Sequence, residues 1–409
     1  MAKEKTVNRG TVVIGSLVIA LFAGLLYTWS LFVRPICEQY GWGMDQVAMM
    51  GNVMLAAFCG GSAIGGNLLP KWGARKSCIC GSLMFGLGIL VSAFIASPAV
   101  MYITWGACGG FGAGVLYTVG MYVASAWFPD KRGLVMGIFL AIFGLSVTIL
   151  SSPLNAMLTG MGVHRTVLIL GILLTVLLTA ISATVMQMPP AGWHPAGYEA
   201  SPGKKNVDDM RSLSVGEALK TKEFWLFAAA FILMIMPYAF ISSYTAIYAT
   251  DVKNFTAEQA VTIVSMMGIG TAAGRFLGGA FVDKLGYKLT YAIFCVCSVI
   301  SCLLMLVSNS FAAIVFAFIL LAAGYGGRTP VYGVLPVIQF GPENASALFG
   351  YGCFGTIASS IIAPMITVAT RNATGSYTAS IIIALIISVA GMLCILVCAK
   401  DTPVMKKNR

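Results

Sequence analysis

Two arginines stand inside apolar stretches of this chain, where a charge needs a reason. Arg275 lies within Gly268–Gly286, a run rich in small residues whose next charges are Asp283 and Lys284. On a helix rising about 1.5 Å per residue, Arg275 sits roughly 12 Å inside the end marked by Asp283, near the middle of a ~30 Å hydrocarbon layer. An arginine at that depth costs at least ~2.5–3.5 kcal/mol to insert, so a substrate or ion site is its first interpretation. A guanidinium offers a planar fork of donors that matches a carboxylate bidentately. The rival interpretation is an arginine held by helix-end carbonyls or snorkelling to a headgroup, but this helix has no carboxylate within one turn of Arg275. Arg328 lies in Gly324-Tyr325-Gly326-Gly327-Arg328-Thr329-Pro330. Pro330 lacks a backbone donor, so Arg328 either gives an anion a second positive charge or serves freed carbonyls. Tyr27 and Tyr117 also fall in apolar runs; a phenol there either orients a small anion or packs.

Long apolar elements must position these groups. The 409 residues are 58% hydrophobic and 10% charged, with mean hydropathy +0.89. Runs of about 20 apolar residues recur along the chain, which predicts an all-α polytopic membrane protein. The runs do not alternate as barrel strands do. The first span covers Thr11–Val33 and is too long for a cleaved signal segment. Further spans are expected at 46–69, 77–97, 99–127, 133–158 and 165–187, then at 223–247, 258–282, 288–308, 311–338, 345–369 and 375–399. The expectation is therefore twelve transmembrane helices in two six-helix bundles, 1–187 and 223–409. A cytoplasmic linker, 188–222, joins them, with a short surface helix around Val215–Thr221 and a short cytoplasmic tail at the end of the chain.

Basic residues orient the spans. Lys71, Arg75, Lys131, Arg132, Lys204, Lys284 and Lys406 fall on the same side as the N-terminus, whereas Arg34, Arg165, Lys253 and Arg371 fall on the other. The richer side is the cytoplasm, so both termini and the linker are placed there, in a multi-pass cell (inner) membrane protein. The net charge of +11 is thereby read as topology, not nucleic-acid affinity. Every Asp and Glu falls in a loop or at a span end. The eleven cysteines have no partnering histidines, which makes helix packing a better account of them than a metal or disulfide framework. No constellation for acid–base or nucleophilic chemistry stands out. The expectation is no enzyme, no cofactor and no metal.

The two halves share a repeat. Gly65-Gly66-Asn67-Leu68-Leu69-Pro70-Lys71-Trp72-Gly73 matches Gly278-Gly279-Ala280-Phe281-Val282-Asp283-Lys284-Leu285-Gly286, each at the cytoplasmic end of the second span of its half. This resembles the signature loop of the major facilitator superfamily, which implies two bundles related by a pseudo-two-fold along the membrane normal. Gly66, Lys71, Gly73, Gly279, Asp283 and Gly286 carry the match, and Pro70 stands where an aspartate is usual.

A narrower resemblance covers nearly the whole chain. Trp127-Phe128-Pro129-Asp130-Lys131-Arg132-Gly133 ends the fourth span, Tyr27-Thr28-Trp29-Ser30-Leu31 lies in the first, and Glu223-Phe224-Trp225 opens the seventh. With Arg275, these are similar to the oxalate/formate antiporter family, itself related to monocarboxylate transporters; Asp130 and Arg132 belong to its loop. The resemblance implies that Arg275 binds substrate and that Tyr27 and Tyr117 are cavity tyrosines. The family's fifth-span tyrosine falls on Phe143, its tenth-span tryptophan on Tyr325, and its eleventh-span lysine on Thr356. That last departure removes the second cation of the oxalate-specific member.

The function expected is a secondary active transporter of small organic anions, mono- or dicarboxylates such as formate, oxalate, lactate or pyruvate, by alternating access. Its partners are the carboxylate and the lipid bilayer, with no nucleic acid, and it is expected to be monomeric. Two cations without a fixed counter-anion make the empty carrier reluctant to reorient, which points to anion exchange. A proton-coupled monocarboxylate symporter is the alternative. It needs a titrating group, and the family position for one is Thr271 here. A non-transporting carboxylate sensor is a rival from another class. It needs an output module, and the linker is shorter than the ~50 residues of a small domain. A channel separates from a carrier by unsaturable flux without counterflow.

Overall fold

A computed structural model describes residues 8–95, 97–190, 193, 212–242, 244–245 and 248–398. In chain order the α-helices are α1 (Arg9–Ala23), α2 (Ser30–Tyr40), α3 (Met44–Phe94), α4 (Pro98–Met101), α5 (Gly110–Ala126), α6 (Arg132–Thr184), α7 (Val215–Leu219) and α8 (Lys222–Ser242). They continue as α9 (Ala257–Leu285), α10 (Tyr287–Val307), α11 (Phe311–Phe340), α12 (Ala345–Thr374) and α13 (Thr378–Cys398). A 3₁₀ turn, Gly24–Thr28, follows α1, and π-helical segments cover Tyr102–Gly109 and Tyr248–Val252. An apolar chain in lipid satisfies its backbone this way because each helix bonds its own N–H and C=O groups.

Among the described residues, ten helices are long and apolar enough to cross a membrane. Two of the ten contain a break. α3 has 51 residues and α6 has 53, and each is two helices joined at a glycine, Gly73 (φ 75°, ψ 168°) and Gly162 (φ 78°, ψ 172°). A side chain at that positive φ is strained, so glycine makes the corner. Counting the two corners, the ten helices provide twelve crossing lengths. Gly286, between α9 and α10, has nearly the same conformation (φ 80°, ψ 164°). The repeated loop of the sequence is therefore a repeated backbone corner.

The first span differs from the expected Thr11–Val33. It breaks at Gly24, where a Cβ would lie 2.5 Å from the Phe143 carbonyl oxygen, and the 3₁₀ turn carries Tyr27 out of register. The helix then runs on to Tyr40, so Arg34 sits on α2 and not in a loop; its Nε donates to Glu38 at 2.8 Å.

The chain forms two compact units. One comprises Met1–Asp130, Ile142–Lys204 and Glu343–Phe354; the other comprises Lys131–Ala141, Lys205–Pro342 and Gly355–Arg409. In the first, α3 and α5 approach backbone to backbone: a Cβ at Gly112 would meet the Gly81 carbonyl at 2.5 Å, and Gly61 and Gly114 leave no more room. In the second, α9 and α11 lock by a glycine register. Gly270, Gly274 and Gly278 press on the carbonyls of Ile319, Ala323 and Gly327, each pair four residues further along both helices. Without a hydrophobic drive between helices in lipid, such close packing holds the pair together. The expected surface helix is α7, closed by a capping box in which Glu217 N donates to Ser214 Oγ (3.2 Å) and Ser214 N to Glu217 Oε2 (3.0 Å). Leu213 N ties it to the Phe340 carbonyl at 2.9 Å. Linker residues 194–211 lie outside the described residues.

Candidate functional site

The α9–α11 register sets Arg275. Gly274 meets α11 closely, and Gly326 closes on the Thr271 carbonyl, so the side chain of Arg275 leaves from a backbone that cannot shift. The residue is 6% exposed. Its Nη1 donates to the Leu140 carbonyl at 2.7 Å, and its Nε is buried with no hydrogen-bond partner. No carboxylate pairs with it among the described residues. The edge that presents Nε beside Nη2 is the side-on fork a carboxylate takes.

Leu140 is supplied by the start of α6, which belongs with Lys131 to the segment Lys131–Ala141 of the same unit as α9. Two features hold it. Gly133 and Gly137 bring the α6 backbone against Gly279 and the Arg275 carbonyl, where a Cβ at Gly137 would lie 2.5 Å away. The Asp283 carboxylate accepts from Gly133 N at 2.8 Å and Leu134 N at 2.7 Å. A carboxylate there satisfies orphan N–H groups and meets the positive end of the helix dipole. The signature residues Gly279 and Asp283 thus work on the helix that fixes Arg275. In the first copy, where Pro70 replaces the aspartate, Gly66 instead packs on the Ser346 carbonyl and accepts from Ser346 Oγ at 2.8 Å. Asn67 reaches Tyr351 Oη at 3.2 Å. Lys71 and Asp130 are exposed, and Arg132 is half-buried at the start of α6.

Tyr325 lies in this neighbourhood. It stacks on Tyr238 of α8, ring centroids 4.6 Å apart and planes at 15°. Thr356, on α12, is half-buried beside Gly355, which packs on Ile232 of α8.

Arg328 has other company. It is 0% exposed. Its Nε donates to the Gly324 carbonyl at 2.8 Å and its Nη2 to Ser298 Oγ of α10 at 3.1 Å, with the guanidinium 5.6 Å from the centre of the Tyr291 ring. Nη1 is buried without a partner. The carbonyl that Pro330 frees, Gly326, is served by the Thr329 hydroxyl at 2.6 Å and not by Arg328. Arg328 is therefore a cation embedded between α10 and α11.

The remaining aromatic positions meet in the first unit. Phe143 is the hub, 5.3 Å from Tyr27, 4.6 Å from Tyr117 and 5.8 Å from Phe58 by ring centroid. Phe349 touches Tyr117 from α12 at 6.2 Å. Tyr27 is 45% exposed, whereas Tyr117 and Phe143 are buried. Sequence reasoning did not single out Phe58, Phe349 or Tyr238. For the phenylalanines nothing in the sequence separates them from core; for Tyr238 the signal was a hydroxyl-bearing ring directly after Pro237 in an apolar span.

Comparison with known proteins gives the family and the fold. The sequence model of the Major Facilitator Superfamily matches residues 12–351 and 260–409. The chain is 23% identical over 344 residues to the uncharacterized MFS-type transporter YhjX of Escherichia coli K12, covering 84% of this chain and 83% of that one. It is 26% identical over 284 residues to the oxalate:formate antiporter of Oxalobacter formigenes, covering 69% and 65% respectively. Monocarboxylate transporter 11 of Mus musculus is 24% identical over 267 residues, 64% of this chain and 56% of that one. Among solved structures, the transporter FucP in its outward conformation superposes with TM-score 0.74 at 12% identity, covering 96% of this chain and 99% of FucP.

Proposed function

The chain belongs to the Major Facilitator Superfamily, a multi-pass transporter of the oxalate:formate antiporter and monocarboxylate transporter type, and on that premise we propose that it exchanges small organic anions across the cell membrane by alternating access. One observation carries the reading: Arg275 is buried and anchored at Nη1 by a main-chain carbonyl, and it keeps Nε without a protein partner. A desolvated cation prepared in this way is completed by a carboxylate. Formate, lactate, pyruvate and oxalate are the candidate cargoes. Tyr325 lines the Arg275 side, and Tyr27, Tyr117 and Phe143 form the aromatic cluster of the other unit. Both termini and the linker face the cytoplasm, and the functional halves are 1–187 and 223–409.

The test is efflux of a radiolabelled carboxylate from loaded proteoliposomes, with and without external carboxylate, at two imposed pH gradients. Exchange predicts strong stimulation by external anion and little response to the gradient. Uphill uptake driven by the proton gradient alone would overturn exchange in favour of symport. Arg275→Lys keeps the charge and loses the fork, so it should lower kcat/KM at least about a hundredfold while inserting normally. Wild-type transport by that variant would remove Arg275 as the clamp.

A further inference from the structure

A buried lysine or histidine can shed its proton, whereas a buried guanidinium stays charged. It therefore needs a counter-charge, because neutral acceptors satisfy its N–H groups without cancelling the charge. Arg328 has only neutral acceptors. It is 0% exposed between α10 and α11, and no carboxylate pairs with it among the described residues.

Donors outnumber acceptors around it. Nε and Nη2 are spent on the Gly324 carbonyl at 2.8 Å and Ser298 Oγ at 3.1 Å. Ser298 gives its own proton to the Phe294 carbonyl at 3.3 Å. The N–H groups of Nη1 find no acceptor. The Tyr332 hydroxyl donates to the Tyr291 hydroxyl at 3.3 Å, which leaves the Tyr291 proton without an acceptor among the described residues. The ring of that same Tyr291 lies 5.6 Å from the guanidinium. A water would bring as many donors as acceptors and no charge, so it would relieve neither the surplus nor the field. An anion relieves both.

We propose that Arg328 holds a resident small monoatomic anion, a halide such as chloride, against its Nη1 edge between α10 and α11. Complete burial selects a small ion that stays over a carboxylate cargo that must enter and leave at every cycle. The halide is structural: it compensates the charge that the scaffold encloses. The inference does not depend on the transport reading above, which concerns Arg275.

The experiment follows thermal unfolding in detergent as sodium gluconate is replaced by sodium chloride at constant ionic strength, for wild type, Arg328→Met and Arg275→Lys. Going from about 1 to about 100 mM chloride should raise the wild-type midpoint saturably by about 2 °C or more, as binding to the folded state requires. Bromide should act in the same way. In gluconate alone Arg328→Met melts no lower than wild type, because it lacks the uncompensated charge, and chloride narrows that gap by raising wild type only. Arg275→Lys should keep the wild-type chloride response. A wild-type midpoint indifferent to chloride overturns the inference, as does an equal rise in Arg328→Met. A rise lost in Arg275→Lys and kept in Arg328→Met puts the halide at Arg275 and overturns it too. Should Arg328→Met fail to assemble, wild-type crystals grown in bromide decide. An anomalous peak within hydrogen-bond distance of Arg328 Nη1 is expected, and its absence there overturns the inference.

Discussion

A guanidinium has five N–H donors in one plane, and what a buried arginine does depends on which of them the protein leaves over. Arg275 keeps a buried Nε without a protein partner, with Nη1 tied to Leu140. Arg328 spends Nε and Nη2 on Gly324 and Ser298, lies against the Tyr291 ring, and is 0% exposed. We propose that the first arrangement binds an anion and that the second holds a charge inside the scaffold. Replacing a buried charge by an apolar side chain of similar volume is often neutral or stabilising. Arg328→Met leaves Gly324 within its helix and Ser298 on the Phe294 carbonyl. It should therefore melt in detergent no lower than wild type and shift the KM for the carried anion by less than about threefold. Loss of anion binding in that variant, with melting unchanged, would make Arg328 a substrate contact after all.

At the scale of elements, α9 does two jobs on two adjacent stripes. Gly270, Gly274 and Gly278 bury it against α11, while Arg275, Gly279 and Asp283, four residues apart, meet the start of α6. The i, i+4, i+8 spacing places each trio on its own stripe. Asp283 accepts from two α6 amides, a charge-assisted helix cap. Asp283→Ala leaves both amides without that acceptor and should destabilise the fold by about 1–2 kcal/mol. It should also speed hydrogen exchange at residues 133–135. Asp283→Asn, which keeps one acceptor oxygen and loses the charge, should fall between. Exchange at 133–135 unchanged in Asp283→Ala would show that the glycine contacts alone hold α6.

For the whole molecule the governing term is the asymmetry of basic residues between the two sides of the membrane. On the topology proposed above, Ser201, which lies outside the described residues, is expected in the cytoplasm and Asn254, at the left-handed φ of 55° after the π-helical segment, on the opposite side. In a variant stripped of native cysteines, single cysteines at 201 and 254 should label from opposite faces of intact cells with an impermeant maleimide. Labelling from the same face would defeat the twelve-span arrangement. Lys253, next to Asn254, is held by polar groups near the end of α10. Its Nζ donates to the Ser308 carbonyl at 2.7 Å and to Asn309 Oδ1 at 2.8 Å, and burial pushes its ammonium below the ordinary lysine range.

The sequence by itself determined the helical class and the repeated turn, and it singled out two buried arginines. Long apolar runs without strand alternation form helices in lipid, and the repeated Gly73 and Gly286 mark the same turn. It also brought Tyr27, Tyr117 and Phe143 forward as a set, and they do share one cluster. Only the tertiary structure decided which way each charge is turned. Arg275 and Arg328 read alike along the chain, because both follow glycines in apolar helices. Their difference comes from partners distant in sequence, Leu140 for one and Ser298 with Tyr291 for the other. Tyr238 was silent for the same reason: its partner is a ring on α11. The need for a glycine at 24 was silent too, because what crowds it is the Phe143 carbonyl of another helix. Periodicity and hydropathy are local sums that a single chain reveals, whereas the direction of a buried donor is set by packing across helices.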